Sequence, residues 1–456
     1  MIVMKFGGTS VESAPAIERV ASIVKARLEQ RPMVVVSAFG KTTNALLAIA
    51  HEAAGGRRDT ALAQLSKLRE YHERVAGPVV RESDCAALKQ ILREHFAELE
   101  ETVKGLAMLG ELTPRSLDAV ASYGERLSSR IVALAFHKFG ISGTHLDARD
   151  MIVTDHRHTQ ANPIIPETYS RIAAAARKIG DNCVAVLGGF IGATEEGVTS
   201  TLGRGGSDFT AALVGAALDA DEIQIWTDVD GVLTCDPNLV PGARPVKSIS
   251  FDEAAELAYF GAKVLHPATV LPAQEKNIPV RIMNSRRPEA PGTRIVSESV
   301  SCTNMLKSVA CKRNITVVSI HSTRMLMAHG FLRHIFEIFD RHETPVDMVT
   351  TSEVSVSLTI DDSSRLTQIL AELEPVSRVT VEKDHAIVCV VGDNLRYTPG
   401  VAARVFGSLQ GINMRMISQG ASLLNISFVV AGEDLPTTVN ALHKEFFTTL
   451  DPRVFG

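Results

Sequence analysis

The sequence predicts an α/β domain built on an open, mostly parallel sheet with helices on both faces, followed by a duplicated ferredoxin-like α+β region. Three observations carry this. Short apolar, largely β-branched runs at 2–6, 33–36, 183–187, 222–226 and 280–283 alternate with stretches of helical periodicity. Four motifs of glycines, hydroxyls and charged residues follow these runs, and in an open α/β sheet ligands gather at the carboxyl ends of strands. Past residue 293 the chain repeats itself.

With 456 residues, two or three domains are expected. Apolar residues make up 45% and charged residues 22%, which excludes a largely disordered chain. A net charge of −5 leaves no footprint for nucleic acid or an anionic membrane. Cys85, Cys183, Cys235, Cys302, Cys311 and Cys389 form no C-x-x-C pair, which argues against a zinc site or disulfide framework and fits a reducing cytoplasm. Lys5 breaks the first apolar run, so neither a signal peptide nor a membrane span is expected.

The first run leads into Gly7-Gly8-Thr9-Ser10 and then a helix through Ile17, Val20 and Val24. It is not a Walker A loop, because Lys5 precedes the glycines. A lysine on a buried strand either snorkels to the surface or meets an anion. The second run ends in Ser37-Ala38-Phe39-Gly40-Lys41-Thr42-Thr43-Asn44, where an N-cap is the commoner reading of Thr43 or Asn44 taken singly. The segment 58–104 is helical throughout and reads as a hairpin appended to the α/β core. Thr113-Pro114 opens the next helix, and Gly124 within it points to a close approach beside Glu125, although Glu125 alone reads as a solvated helix face. His156-Arg157-His158 reads as a polar loop with no metal role.

The stretch Thr201-Leu202-Gly203-Arg204-Gly205-Gly206-Ser207-Asp208 precedes helical spacing over 209–218. It reads as an anion cradle, with backbone N–H groups and a helix dipole aimed at one site and Arg204 as a bidentate fork. A tight turn is the alternative. Thr227-Asp228 and Cys235-Asp236-Pro237 follow the run at 222–226, and Ser250 to Glu253 forms a capping box for a helix through Phe260. Pro288-Glu289-Ala290-Pro291-Gly292 marks a domain boundary.

In the repeat, Gly330-Phe331 through Phe336, Val346-Asp347 and 357–360 match Gly400-Val401 through Phe406, Met414-Arg415 and 427–430. The offset is 70 residues (330 to 400), slips to 68 (346 to 414) and returns to 70 (357 to 427). Each copy reads strand, helix, strand, strand, helix, and the first adds a strand around 376–381.

Taken together, Lys5-Phe6-Gly7-Gly8-Thr9-Ser10, Thr201 to Asp208, Trp226-Thr227-Asp228, Phe260-Gly261-Ala262-Lys263-Val264-Leu265-His266-Pro267 and the tandem repeat resemble aspartate kinase of the kinase-only type, with the amino-acid-kinase fold and two ACT regulatory units. The resemblance spans nearly the whole chain. It implies a catalytic domain at 1–293, a linker and first ACT domain at 294–384, and a second ACT domain at 385–456 completed by a strand from about 305–313. The implied reaction is ATP-dependent phosphorylation of the β-carboxylate of L-aspartate to 4-phospho-L-aspartate, the first step of aspartate-family amino-acid biosynthesis. Mg²⁺ would ride on the nucleotide.

Residue by residue, the resemblance implies Lys5 as the catalytic cation anchored by Asp208. Thr43, Glu125, Arg204 and Gly205 would hold aspartate, Arg204 on its α-carboxylate and Glu125 on its α-ammonium. Lys5, Gly7, Gly8, Ser10, Ser37, Thr227, Asp228, Asp236 and Lys263 would serve the nucleotide. Leu233 and Asn238 depart from members with tyrosine and arginine there. An amino-acid effector, lysine first and threonine second, would meet Met325, Ala328, Gly330, Phe331, Leu332, Val346, Asp347, Ser352 and Glu353. Met327 and Ala328 replace polar residues of lysine-inhibited relatives. A homodimer through the ACT units is expected. The alternatives are a kinase for another amino-acid carboxylate, a non-catalytic amino-acid sensor and a structural assembly module.

Overall fold

The computed structural model describes every residue except 181, 262–264, 266, 299, 301 and 323–329, and of 267 and 268 the backbone alone. The chain forms two units, one of 1–231 with 264–298 and one of 232–263 with 299–456.

In the first unit Ile2–Phe6 is the middle strand of the sheet. Met33–Val36 pairs with it in parallel on one side and Glu222–Thr227 on the other. Val184–Gly188 and then Gly143–Leu146 extend the first side, both in parallel register. Val280–Asn284 and the antiparallel Thr293–Val296 extend the second. Every residue of Ile2–Phe6, Met33–Val36 and Val184–Gly188 is buried, which is why these strands read as unbroken apolar runs: helices cover both faces of a parallel sheet.

The expected hairpin is present as Arg58–Ala76 and Cys85–Leu109. Its Leu65, Leu92, Phe96 and Leu99 join Leu46 of Thr42–Ala54 and Leu127 and Ile131 of Pro114–Lys138 in one core. Thr113 caps the last of these helices, accepting from Ser116 N at 3.2 Å.

Three local expectations are corrected, and one element was not anticipated. The helix after the cradle is Gly206–Ala217, three residues earlier than its apolar spacing, because its first residues, Gly206, Ser207 and Asp208, carry no apolar side chain to mark it; Asp208 therefore falls inside the first turn. Neither Thr43 nor Asn44 is an N-cap, since the helix opens at Thr42 after Lys41. Residues 288–292 are the turn between the strands Val280–Asn284 and Thr293–Val296, with Gly292 at φ +65, so the unit boundary comes later, at 298. The hairpin Ile191–Thr194 with Thr199–Thr201, joined by Val153–Thr154, makes a small second sheet that the polar composition of 194–201 concealed.

The second unit has one sheet of six strands in the order Val349–Thr351, Ser355–Ile360, Ser308–His321, Arg378–Val391, Asn425–Ala431, Met414–Gln419. The two middle strands are 14 residues each and cross both repeat copies. Ser308 to Lys312 pairs with Ile387 to Val391, which supplies the strand expected from about 305–313. Thr316 to His321 pairs with Ser355–Ile360, and Val317 to His321 pairs antiparallel with Arg378 to Glu382. The extra strand expected at 376–381 is thus not separate; it is the start of Arg378–Val391. Ile335, Ile338 and Phe339 of Phe331–Arg341 and Ile369 of Leu366–Leu373 fill the first copy's core. The capping box forms as expected on Phe251–Tyr259, and Glu253 also meets Lys307 at 2.8 Å with both side chains excluded from solvent. No helix among the described residues is long and apolar enough to cross a membrane.

Candidate active site

The carboxyl ends of the parallel strands in the first unit gather the charged and hydroxyl residues. Lys5, only 9% exposed, extends Nζ to Asp208 Oδ1 at 2.6 Å. Lys5 is the sole partner of that buried oxygen among the described residues. A charge on the central strand is tolerable here because the opposite charge waits in the first turn of the neighbouring helix. Gly7 N donates to Trp226 O at 3.0 Å, and a Cβ on Gly7 would lie 3.7 Å from Lys5 Nζ, on the approach to the ammonium. A Cβ on Gly8 would lie 2.8 Å from Gly40 O, so glycine lets the first two strand-end loops touch backbone to backbone.

Hydroxyls line the same end. Ser37 Oγ donates to Ser207 Oγ at 3.1 Å, and Ser10 Oγ and Ser285 Oγ are 2.8 Å apart. Thr227 Oγ1 donates to Asp228 Oδ1 at 3.3 Å, and its carbonyl accepts from Ser285 N at 2.8 Å. The structure thus brings Lys5, Gly7, Gly8, Ser10, Ser37, Asp208, Thr227 and Asp228 to one edge of the sheet.

Glu125 is buried, not the solvated helix residue it is when read alone: it is 3% exposed. Its Oε1 accepts from Ala38 N at 3.1 Å, while Oε2 has no partner among the described residues. Burial pushes its carboxyl up to about 8, with the Ala38 N–H pulling weakly the other way. The close approach predicted at Gly124 is real, since a Cβ there would be 2.7 Å from Ala38 Cβ. Thr43 follows Thr42, which is 1% exposed and whose hydroxyl has no partner among the described residues.

Arg204 is exposed, and its guanidinium has no hydrogen bond or ion pair among the described residues. Gly203 and Gly205 flank it at φ +75 and +73, left-handed conformations that explain glycine at both positions. Beside this loop Phe190 holds φ +65, unusual for a bulky residue, with its N–H donated to Thr210 Oγ1 at 3.0 Å. Sequence reasoning gave no individual role to Phe190, Ser207, Thr42 or Ser285, although Ser207 and Thr42 lie within motifs it singled out. Only the glycine pair before Phe190 hinted at it, and the others are ordinary hydroxyls until the fold brings them together.

Asp236 lies in the second unit, where its Oδ1 accepts from Asn238 N and Nδ2, both at 2.9 Å. Lys263, Met325, Ala328 and Met327 fall outside the described residues. Gly330 caps Phe331–Arg341 at φ +88, with Phe331 and Leu332 in the first turn; Ser352 and Glu353 are exposed. Asp347 follows Val346 just before the strand Val349–Thr351. Its carboxylate is already engaged: Lys312 Nζ is 2.7 Å from Asp347 Oδ1 and 2.7 Å from Asp361 Oδ2, and the Tyr259 hydroxyl is a further neighbour.

Residues 1–284 match the model of the amino acid kinase family, and residues 388–446 match that of the ACT domain. Over 98% of its length the chain is 42% identical to aspartokinase 3, chloroplastic, of Arabidopsis thaliana, covering 82% of that protein. It is 38% identical to lysine-sensitive aspartokinase 3 of Escherichia coli, covering 98% of this chain and 99% of that one. The structure of E. coli aspartokinase III in complex with aspartate and ADP (R-state) superposes with a TM-score of 0.83 at 36% identity, covering 98% of this chain and all of the other. The same enzyme in complex with lysine and aspartate (T-state) gives 0.81 at 36% identity, covering 98% and 99%. On this likeness along its whole length, the chain belongs to the aspartokinases of the amino acid kinase family.

Proposed function

We propose that this aspartate kinase transfers the γ-phosphoryl group of ATP to the β-carboxylate of L-aspartate at the strand ends described above, giving 4-phospho-L-aspartate. The observation that carries the reading is the Lys5–Asp208 pair at the centre of that edge, beside a buried carboxylate and an uncommitted guanidinium. The acceptor carboxylate is ionised at neutral pH, so no general base is needed. Two anions must instead be brought together, and the chain supplies charge and backbone donors for that. Lys5, held by Asp208, faces the transferring phosphoryl group. Gly7, Gly8, Ser10 and Ser37 offer donors along the phosphates; Thr227 and Asp228 serve the rest of the nucleotide. Arg204 grips the α-carboxylate and Glu125 takes the α-ammonium, with Thr43 and Gly205 closing the subsite. Asp208 is committed to Lys5, which fits Mg²⁺ arriving on the nucleotide, where it neutralises phosphate charge.

The reaction opens the route to the aspartate-derived amino acids, and a branch end-product acting on the ACT units follows from it. The lysine complex of the E. coli enzyme supports lysine as that effector. A homodimer through the ACT units, in a reducing cytoplasm that suits six unpaired cysteines, completes the reading. The deciding assay is ATP-dependent hydroxamate formation with aspartate, glutamate and N-acetylglutamate as competing acceptors. Aspartate should dominate. Preference for the acylated acceptor would remove the role given to Glu125, because that acceptor has no α-ammonium.

A further inference from the structure

Asp118 is a carboxylate that the mechanism leaves unused. It lies in the second turn of Pro114–Lys138, is 1% exposed, and is surrounded by donors. Oδ1 accepts from Thr201 Oγ1 at 2.5 Å and from Thr159 N at 3.1 Å. Oδ2 accepts from His158 Nδ1 at 2.7 Å and from Thr159 N at 3.0 Å. A buried carboxylate is expensive unless its oxygens are satisfied, and here every donor comes from one of two segments. Those segments are the strand Thr199–Thr201, which runs directly into Gly203-Arg204-Gly205, and the loop at 158–160, which walls that turn. A Cβ on Gly203 would lie 3.1 Å from Thr159 O, and Ala161 N donates to Thr201 O at 2.9 Å.

Glu125 is seven residues after Asp118 on the same helix. Seven residues are about two turns, or about 10 Å along one face. One rigid helix therefore carries Glu125 directly and the footing of the Arg204 turn through Asp118. Arg204 itself has no side-chain partner among the described residues, so among them its position is set by its turn alone.

We propose that Asp118 is a positioning residue for amino-acid recognition: it fastens the Arg204 turn to the helix that carries Glu125, and so fixes the spacing between the two groups that read the substrate's α-carboxylate and α-ammonium. The proposal rests on the roles given to Arg204 and Glu125 above, and it adds a residue that touches neither substrate. It also accounts for the loop histidine His158, whose ring completes the donor set.

The test is steady-state kinetics of the full-length protein with D118N, T201V, R204A and D118N/R204A. Asp118→Asn keeps the shape but turns one acceptor into a donor facing donors. Because a displaced charge-assisted contact is worth about 1.5–3 kcal/mol, the aspartate KM should rise about 10- to 100-fold, with the ATP KM within about twofold of wild type. Thr201→Val removes one donor without changing volume and should raise the aspartate KM severalfold. It carries the test if Asp118→Asn does not fold. In the double variant the aspartate KM should exceed that of Arg204→Ala by less than about twofold, since no guanidinium is left to position. An unchanged aspartate KM in Thr201→Val and in folded Asp118→Asn overturns the proposal, as do full multiplicative losses in the double variant or equal losses for both substrates. If Arg204→Ala leaves the aspartate KM unchanged, the carboxylate grip itself is wrong. If Arg204→Ala acts and Asp118→Asn is silent, only the positioning role falls.

Discussion

Burial holds the Glu125 carboxyl protonated well into the neutral range, yet the substrate ammonium assigned to it requires the carboxylate. The rise from the ordinary 4.5 to about 8 corresponds to about 5 kcal/mol favouring the protonated form in the free protein, as an upper estimate. Only a fraction of the free enzyme is then competent to bind aspartate, about 1% at pH 6, about 10% at pH 7 and half at pH 8, and the apparent affinity scales with that fraction. Aspartate binding should therefore tighten nearly tenfold from pH 6 to 7 and severalfold more to pH 8, releasing close to one proton per substrate at pH 6 to 7 and about half a proton at pH 8. Titration calorimetry in two buffers of different ionisation enthalpy reads both quantities. Glu125→Gln should bind weakly, with no proton release and no pH slope. The same shift sets a stability trend of known sign. The native state keeps a proton that the unfolded chain gives up above 4.5, so this residue's contribution falls as pH rises from 4.5 to 8, and Glu125→Gln should gain on wild type over that window. A flat affinity from pH 6 to 8 in wild type, or proton release that survives in the Gln variant, refutes the assignment.

Lys5→Ala should lower turnover by orders of magnitude with little change in melting temperature, and Asp208→Asn should show a related loss that is less than additive in the double variant; fully additive losses would contradict a coupled pair. His72 is fully buried, with Nδ1 on Leu68 O at 2.8 Å, its ring on Phe39 and its proton affinity lowered by burial to about 4. The unfolded chain takes up this proton first, so stability present above 6.5 is lost as pH falls toward 4, by up to about 3 kcal/mol, and His72→Phe should lose less than wild type between pH 7 and 4.5 in thermal melts. Equal losses in both would place the acid sensitivity elsewhere, for instance at His95 or His145, which burial also lowers to about 4. In the regulatory unit the Lys312 ammonium competes for Asp347 with any incoming one. Calorimetry should show lysine binding lost in Asp347→Ala and tightened in Lys312→Met; binding that survives the first change, with lysine or threonine, displaces the effector from Asp347.

The parallel sheet and the repeat were legible because each obeys a periodicity: strands buried on both faces read as continuous apolar runs, and duplication survives as matching residues at fixed offset. The motifs at strand ends were legible because backbone donors need glycine, and glycine is visible. Residues whose role comes from long-range packing were not. Glu125 sits on a helix whose polar neighbours Ser128 and Ser129 are also buried, so periodicity alone pointed it to solvent. Asp118 looks like any acid in a helix's second turn until the chain returns 83 residues later with Thr201. Lys312 carries no motif, and only the fold reveals that it already occupies Asp347.

The two strands Ser308–His321 and Arg378–Val391 each pass through both repeat copies without interruption. The register slips between Lys312 and Val317, near Asn314 at φ +59, which twists the sheet at the seam but leaves it joined. Gene dissection at residue 385 would therefore divide neither a linker nor a loop: it would saw through a plate, leaving each fragment with unpaired strand edges that invite aggregation. The duplicated copies have become a single mechanical part.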